Sequence, residues 1–153
     1  MISFFVPGVP VTKGSAKSFY NPKAKRIVTM QDNAARQKPW VSMISFCAQE
    51  AGCRITDKPI LIGMVFDMPR PRGHYGTGRN AEKLKPSAPY WHTSVGDIDK
   101  LVRCVLDSLT GIAYHDDRQV CQLKAQKIYA ESPGVWIKIA IMDEQEDNEP
   151  CDP

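Results

Sequence analysis

An amphipathic segment between two strand-like segments is the feature that most limits how this chain can fold. From residue 98 to 109, apolar residues recur at the three- and four-residue spacing of one helix face, and Thr110-Gly111 ends the pattern. An apolar run at 60–67 precedes this segment, and residues 119–129 follow it with the composition of a strand. If the two strands are parallel, this order predicts a right-handed strand–helix–strand crossover.

Further strands and a second helix are predicted from the same kinds of pattern. A turn at 131–134 separates the strand at 119–129 from an alternating apolar segment, which implies an antiparallel hairpin. We therefore expect one α+β domain, with a mixed sheet and two main helices packed on it. The remaining predicted elements are strands at 2–6, 27–30 and 135–141, and a helix at 33–51 whose regular part is expected to begin at Pro39.

Charge is distributed unevenly along the chain. The net charge is +3, but residues 143–153 contain six acidic side chains and no Lys or Arg. Residues 1–142 therefore carry a net charge of +9. A basic body is typical of proteins that bind polyanions, although many unrelated proteins share it. We expect one domain over residues 1–142 and a disordered acidic tail over 143–153.

Other bulk features narrow the class of protein. No apolar run approaches the roughly 20 residues of a membrane span, and the first residues lack the basic start of a secretory signal. The five cysteines are odd in number and form no C-x-x-C pair, which does not favour structural zinc. We expect a cytoplasmic protein with reduced thiols, and with neither a membrane partner nor a small-molecule cofactor.

Two acidic pairs flank the amphipathic segment. Asp97 and Asp99 enter it, and Asp116 and Asp117 precede the following strand. If the helix packs back on its neighbours, its entrance comes close to the second pair, and three or four carboxylates cluster. Such a cluster is stable mainly when a hard cation relieves the repulsion between the carboxylates. The structural alternative is that the first pair complements a helix dipole and the second belongs to an ordinary turn.

Two segments carry cations suited to a phosphate backbone. The Gly- and Ser-containing loop at 10–17 supplies Lys13 and Lys17, and its alternative interpretation is a solvated hairpin loop. The irregular segment at 68–94 interleaves cations with aromatic rings, a combination suited to flexible or unpaired nucleic acid, although a mobile surface loop has the same composition. Its candidate DNA-binding residues are Arg70, Arg72, Arg79, Lys83 and Lys85.

The central stretch resembles a known family. The run D-I-D-K-L-V-R-x-V-L-D-S-L-T-G-I-A-Y-x-D-D-R-Q-V at 97–120 is similar to the core of RusA-type Holliday junction resolvases, endonucleases of phage and prophage origin. The segments VPGVPVTKGSAKSF and WVSMISFCAQEAG add to the resemblance, which spans residues 2–142. Lys100 stands where the family usually has Asn, and Arg103 where it usually has Lys. We count Lys100 among the candidate DNA contacts.

The resemblance implies a site and its cofactor. Asp97, Asp99 and Asp117 match the family's metal-binding acids, which implies Mg²⁺, with Mn²⁺ as an alternative. Asp116 is expected to orient a ligand or to serve as an alternate one. Arg103 is the fourth candidate catalytic residue, since it lies one helical turn after Asp99 and can orient that carboxylate or contact the scissile phosphate. The resemblance also implies a homodimer, because symmetric cleavage of a junction takes two sites.

These expectations favour a Mg²⁺-dependent endonuclease that cuts branched DNA during phage recombination or repair. One alternative is a branched-DNA-binding protein with impaired catalysis, since Lys100 and Arg103 depart from the family. Another is a D-x-D enzyme such as a haloacid dehalogenase-type phosphatase or a nucleotide-sugar transferase. In those enzymes an apolar strand directly precedes the first Asp of the motif, and residues 91–96 do not have the composition of such a strand.

Overall fold

A central apolar strand organises the fold. In the computed structural model, which describes residues 1–14, 16–31 and 34–142, this strand is β4 (Ile60–Pro69). Every second residue from Ile60 to Met68 is buried, as expected when alternate side chains face one core. The strand lies inside a four-stranded sheet of order β1-β6-β4-β5, formed with β1 (Ile2–Pro7), β5 (Val120–Ala130) and β6 (Gly134–Ile141).

Two helices cover the inner face of this sheet. The first, α1 (Ala34–Glu50), buries Trp40, Ile44 and Ala48, and it begins before Pro39 rather than at it. The second, α2 (Ile98–Leu109), buries the apolar stripe expected from its sequence. Buried residues of both helices and of β4 form one core. The predicted α+β class, with a mixed sheet and two main helices, is confirmed.

The predicted crossover is present. Strands β4 and β5 pair in parallel, from Ile60 with Val120 to Pro69 with Ala130, and α2 connects them. A helix in such a connection runs antiparallel to both strands. The start of α2 therefore lies at the end of β5, and the end of α2 lies at the start of β5.

The predicted hairpin between the last two strands is wrong. Strand β6 pairs antiparallel with β1 and β4, whereas β5 pairs with β4 at the sheet edge. Burial explains this order, because β4 is apolar except for Asp67 and gains most from a central position. Strand β5 carries Gln122, Lys124 and Gln126 on one face, and charged or polar side chains suit an edge strand.

A second sheet has two strands. It consists of β2 (Ala16–Asn21) and β3 (Arg26–Gln31), paired antiparallel. Only β3 is predicted from the sequence, since β2 is polar and lies where a loop is expected. Within the described ranges neither helix is long and apolar enough to cross a bilayer. The predicted acidic tail at 143–153 lies outside the described residues.

Candidate active site

The entrance of α2 presents the first acidic pair. Gly96 adopts φ 116°, a left-handed conformation that favours glycine, and the chain turns there into Asp97, the N-cap residue. The Asp97 side chain caps no backbone N–H, and Asp99 lies exposed in the first turn. The Asp97 carboxylate therefore makes no cap hydrogen bond, although both carboxylates lie where they complement the helix dipole, as the structural alternative expects.

Lys127 holds this entrance in place, a role that is not among the sequence predictions. Its Nζ donates to the carbonyl oxygen of Gly96 at 2.6 Å and to that of Ser94 at 3.4 Å. The ammonium group thereby fixes the backbone that leads into Asp97. A signal is present in the sequence, because Lys127 falls in the same alternating row of β5 as Leu123 and Ala125, where a charged residue needs a partner.

Asp97 is paired with Lys100 at the surface. The Lys100 Nζ lies 2.9 Å from a carboxylate oxygen of Asp97, one turn along α2. The hydrogen bond and the charge of Lys100 hold the pKa of Asp97 below its ordinary value, and the same contact raises the pKa of Lys100. The carboxylate is therefore ionised at neutral pH and available to a cation that displaces the lysine.

The second acidic pair lies in a clamped turn rather than in a straight strand. A short 3₁₀ turn covers Asp117–Gln119, with Asp116 as its N-cap accepting from the backbone N–H of Arg118 at 3.0 Å. Gln119 Oε1 accepts from the backbone N–H groups of His115 and Asp116. Gln119 Nε2 donates to the backbone of the loop before β4, at Thr56 and Lys58. Gln119 thus fixes the backbone on which the pair is carried.

Asp117 is exposed beside a buried tyrosine. The Tyr114 hydroxyl donates to the carbonyl oxygen of Leu106 at 2.8 Å, which ties this segment to the last turns of α2. Burial, with a contribution from the negative charge of Asp117, raises the pKa of Tyr114 above its ordinary range. The Asp116 side chain is engaged in the turn, whereas that of Asp117 is the free carboxylate of the pair.

The two pairs lie at opposite ends of α2. Gly96 adjoins Lys127, whereas Asp117 lies just before Val120, where β5 begins. Seven strand residues at about 3.3 Å each separate these points by roughly 23 Å. Among the described residues, no group of three or more His, Cys, Asp or Glu side chains is arranged to hold a metal ion. The predicted clustering of both pairs within one chain is therefore wrong.

Arg103 lies with Asp99 on the exposed side of α2. Both line a depression of about 450 Å³ between α2 and β5. Within the described part of the chain, no ion pair joins Arg103 to Asp99, so the guanidinium is available to a ligand. Apolar side chains form the rest of the lining, namely Ile98, Val102, Leu106, Leu123 and Ala125.

Several predicted DNA-binding cations have structural partners. Lys13 forms an ion pair with Asp107 of α2, and its backbone N–H donates to the carbonyl oxygen of Lys100 at 3.1 Å. Arg70 donates to the carbonyl oxygens of Pro89 and Tyr129, and it anchors the long loop against the end of β5. The side chain of Lys17 lies outside the described part of the chain.

The other cations of the long loop point outward. Arg72, Arg79 and Lys83 are exposed, and two short 3₁₀ turns give this loop a defined path. Lys85 is also exposed, with its Nζ donating to the carbonyl oxygen of Gly73 at 2.8 Å. The loop therefore presents a set of exposed cations, and Arg70 holds the base of the loop at the end of β5.

Comparison with known proteins identifies the family of this chain. The family model described as endodeoxyribonuclease RusA matches residues 7–140. The protein described as uncharacterized protein YqaN of Bacillus subtilis (strain 168) is 31% identical over 146 residues, which cover 90% of this chain and 94% of that protein. The family match begins at the last residue of β1 and contains both helices, both acidic pairs and all of β4 and β5. The chain belongs to the RusA endodeoxyribonuclease family.

Proposed function

We propose that this protein is a Mg²⁺-dependent endonuclease that hydrolyses phosphodiester bonds in four-way DNA junctions, as a homodimer, during recombination or repair of phage DNA. The observation that carries the proposal is the placement of Asp97, Asp99 and Asp117. All three are exposed, and their backbone is fixed by separate hydrogen bonds. By the resemblance of the sequence motif, they correspond to the family's metal-binding acids.

The donors fit Mg²⁺ in kind but not in number within one chain. Carboxylate oxygens are the ligands that this hard cation takes from proteins. One chain offers Asp97 and Asp99 at one place and Asp117 at another. When bound, the ion supplies an activated water and neutralises charge on the phosphate. A complete set of ligands requires that a second copy bring its Asp117 to the first copy's Asp99.

The surface between α2 and β5 supports such a second copy. Ile98 is 37% exposed and Leu123 47% exposed, both beside Asp99 and Arg103. Tyr90 and His92 bond the end of β5 at its outer edge, whereas the backbone before Lys127 has no strand partner on that side among the described residues. An apolar surface next to a partly open sheet edge is suited to burial against an identical surface.

A two-fold axis that passes beside the middle of α2, perpendicular to the helix, completes both sites at once. Such an axis sets two α2 helices antiparallel, so that the start of each lies beside the end of the other. Asp97 and Asp99 of one copy then approach Asp117 of the second copy, and the reverse holds at the other end. The two sites then lie roughly 23 Å apart, which is the distance between the two acidic pairs within one chain. Two equivalent sites suit symmetric cleavage of a junction.

The chain's own residues then have distinct tasks. The carboxylates of Asp97, Asp99 and Asp117 would hold the cation. Arg103, with five donors in a planar fork, contacts a non-bridging oxygen of the scissile phosphate, a role for which a guanidinium is well suited. Lys127 and Gln119 act through other residues, since they fix the backbone on each side of the site.

The pair between Lys100 and Asp97 favours a second candidate function. An ammonium group 2.9 Å from a carboxylate oxygen competes with a cation for that oxygen. If the lysine holds the carboxylate firmly, the protein binds branched DNA without cutting it. The pair lies at the protein surface in contact with water, and surface pairs of this kind are weak. We therefore favour the active enzyme, in which Asp97 would release Lys100 and hold the cation.

Cleavage of a synthetic four-way junction tests the proposal. We expect cutting in Mg²⁺ or Mn²⁺, none in EDTA, and junction binding in both, because the carboxylates need the cation only for the chemical step. Lys100→Asn, which introduces the residue usual in the family, should cleave at lower Mg²⁺ concentrations than the unmodified protein. Undiminished cutting in EDTA contradicts the metal requirement. If Lys100→Asn cleaves the junction and the unmodified protein does not cleave it at any Mg²⁺ concentration, the second candidate function is supported.

The exposed loop cations are expected to contact phosphates of the junction arms. Replacing Arg72, Arg79 and Lys83 together by Gln should lower the slope of log K against log salt by about 0.9 for each phosphate that the protein no longer neutralises. Lys38→Gln is the matched control, since Lys38 is an exposed lysine of α1 and is not part of the loop. Affinity and slope should be measured by salt titration of junction binding. A triple variant that keeps the slope of the control excludes these cations from the interface.

A further inference from the structure

The outer face of the four-stranded sheet has no covering layer among the described residues. Both helices pack on the inner face, where the alternate residues of β4 are buried. On the outer face, register places Phe5, Trp136, Val65 and Gln126 in one row across the four strands. Trp136 is 51% exposed, a large fraction for so large an apolar side chain on a strand interior to the sheet. An exposed indole on an uncovered sheet face is typical of a surface that binds a ligand.

This face contains a shallow depression of about 300 Å³. Gly63 lies in its floor, and a Cβ added there meets only the Cβ of Lys138, at 3.8 Å. A side chain would thus fit at this position, and the glycine keeps the floor open. The depression is large enough for a flat ring system of the size of a nucleobase. Beside Gly63, its lining includes Ser3, Val65, Lys124, Gln126, Trp136 and Lys138.

Charges and rings on this face are arranged for a polyanion with flat bases. Lys138 and Lys124 flank Gly63 on the two neighbouring strands, about 10 Å apart at the usual strand spacing. Trp136 packs against Phe5 with ring centroids 4.9 Å apart, which limits its rotation while part of the indole faces water. Sheets that bind unpaired nucleic acid stack its bases on aromatic rings and pair its phosphates with basic side chains, and this face offers both.

We propose that the outer sheet face binds single-stranded DNA, with a base stacked on Trp136 and the adjoining phosphates at Lys124 and Lys138. The choice of DNA rests on the proposed function, whereas the stacking surface itself does not. The acidic residue of this face, Asp67, lies two positions beyond Val65 on β4 and does not line the depression. In a junction complex, the face would contact a strand unpaired at the branch point, on the side of the sheet opposite α2.

Tryptophan fluorescence tests the proposal directly. The chain has three tryptophans, of which Trp40 is buried and Trp91 is 56% exposed in the long loop. In a Trp91→Phe protein, Trp136 is therefore the exposed reporter. We expect a short oligo(dT) to quench its emission in EDTA, with weaker quenching by oligo(rU). Because the oligonucleotide is unbranched and no metal is present, this result is independent of junction cleavage.

Substitutions on the outer sheet face identify which side chains contact the oligonucleotide. Trp136→Leu should weaken binding of labelled oligo(dT) about ten- to a hundredfold, the effect of removing one stacked base. Lys124→Gln and Lys138→Gln should each lower the salt slope by about 0.7, with Lys38→Gln as the control. Gly63→Val guards against a folding artefact. Valine favours a strand, so this variant should keep its thermal stability while it fills the depression and weakens binding.

Several results overturn the proposal. They are the absence of quenching by oligo(dT), equal binding by the Trp136 and Gly63 variants, or tighter binding of oligo(rU) than of oligo(dT). A change of Trp136 emission on dilution without oligonucleotide also overturns it, because the face then belongs to an interface between copies. Loss of junction cleavage in Asp117→Asn, with oligo(dT) binding retained, is the expected separation of the two surfaces.

Discussion

Asp117→Asn is expected to reduce the single-turnover rate of junction cleavage by about a thousandfold or more, whereas Asp116→Asn should reduce it only about ten- to a hundredfold. Removing a ligand charge from Asp117 forfeits several kcal/mol of transition-state stabilisation supplied through the cation. Asn at 116 still offers an oxygen to the backbone N–H of Arg118, so the turn that carries Asp117 is retained. The smaller loss is that of a residue positioning a ligand.

The measurement compares both variants at saturating Mg²⁺, together with their junction affinity. Affinity should be equal to or higher than that of the unmodified protein, because a carboxylate repels the phosphates. Asp116→Ala is a matched control for the turn, since it removes the N-cap and should cost about 1 kcal/mol of stability. If Asp116→Asn is inactive and Asp117→Asn active, the assignment of the free carboxylate to Asp117 is wrong.

Most of the elements could be predicted from the sequence, but the order of the strands could not. Helix α2 and strands β4 and β6 have strong periodicity, and their bounds match the prediction within about two residues. The turn at 131–134 predicts a hairpin because it reports only local geometry. β4 lies between β5 and β6 because it gains most from having a neighbouring strand on each edge. Which strand gains most depends on the composition of all four strands, so a local pattern does not give it.

The sequence proposes which residues form the site, but it does not give their arrangement. The sequence motif singles out Asp97, Asp99 and Asp117, and their carboxylates are exposed as a binding site requires. Their separation follows from the direction of the chain. The short connection from Leu109 to Val120 brings the second pair to the end of α2, not to its entrance. A helix antiparallel to its flanking strands cannot bring both pairs together.

The contribution of Lys127 shows a different limit of sequence-based prediction. A lysine among apolar residues of an edge strand is visible in the sequence, but its acceptors are backbone carbonyl oxygens of Ser94 and Gly96. Backbone acceptors are present at every residue and leave no pattern. Such a contact can be found only when the fold shows which loop passes the lysine.

Each active site, in the proposed dimer, is shared between two copies of the chain. This sharing predicts rescue between two inactive variants, the largest change in activity expected from any experiment on this protein. In a dimer of one Asp99→Asn chain and one Asp117→Asn chain, the two-fold axis places both substitutions in one site. The other site then contains the native Asp99 of one chain and the native Asp117 of its partner. Because one site is intact, the mixed dimer should nick a junction about a thousandfold faster than a dimer of either variant alone.

The direct measurement uses two affinity tags to purify dimers that contain one chain of each kind. The Asp99→Asn and Asp117→Asn dimer should nick a junction at about half the rate of the unmodified dimer, since one of its two sites is intact. The matched control pairs an unmodified chain with a chain that carries both substitutions, and here each site lacks one ligand, so no nicking is expected. If the control nicks the junction and the mixed dimer does not, the shared site is contradicted, because that result would place each complete site within a single chain.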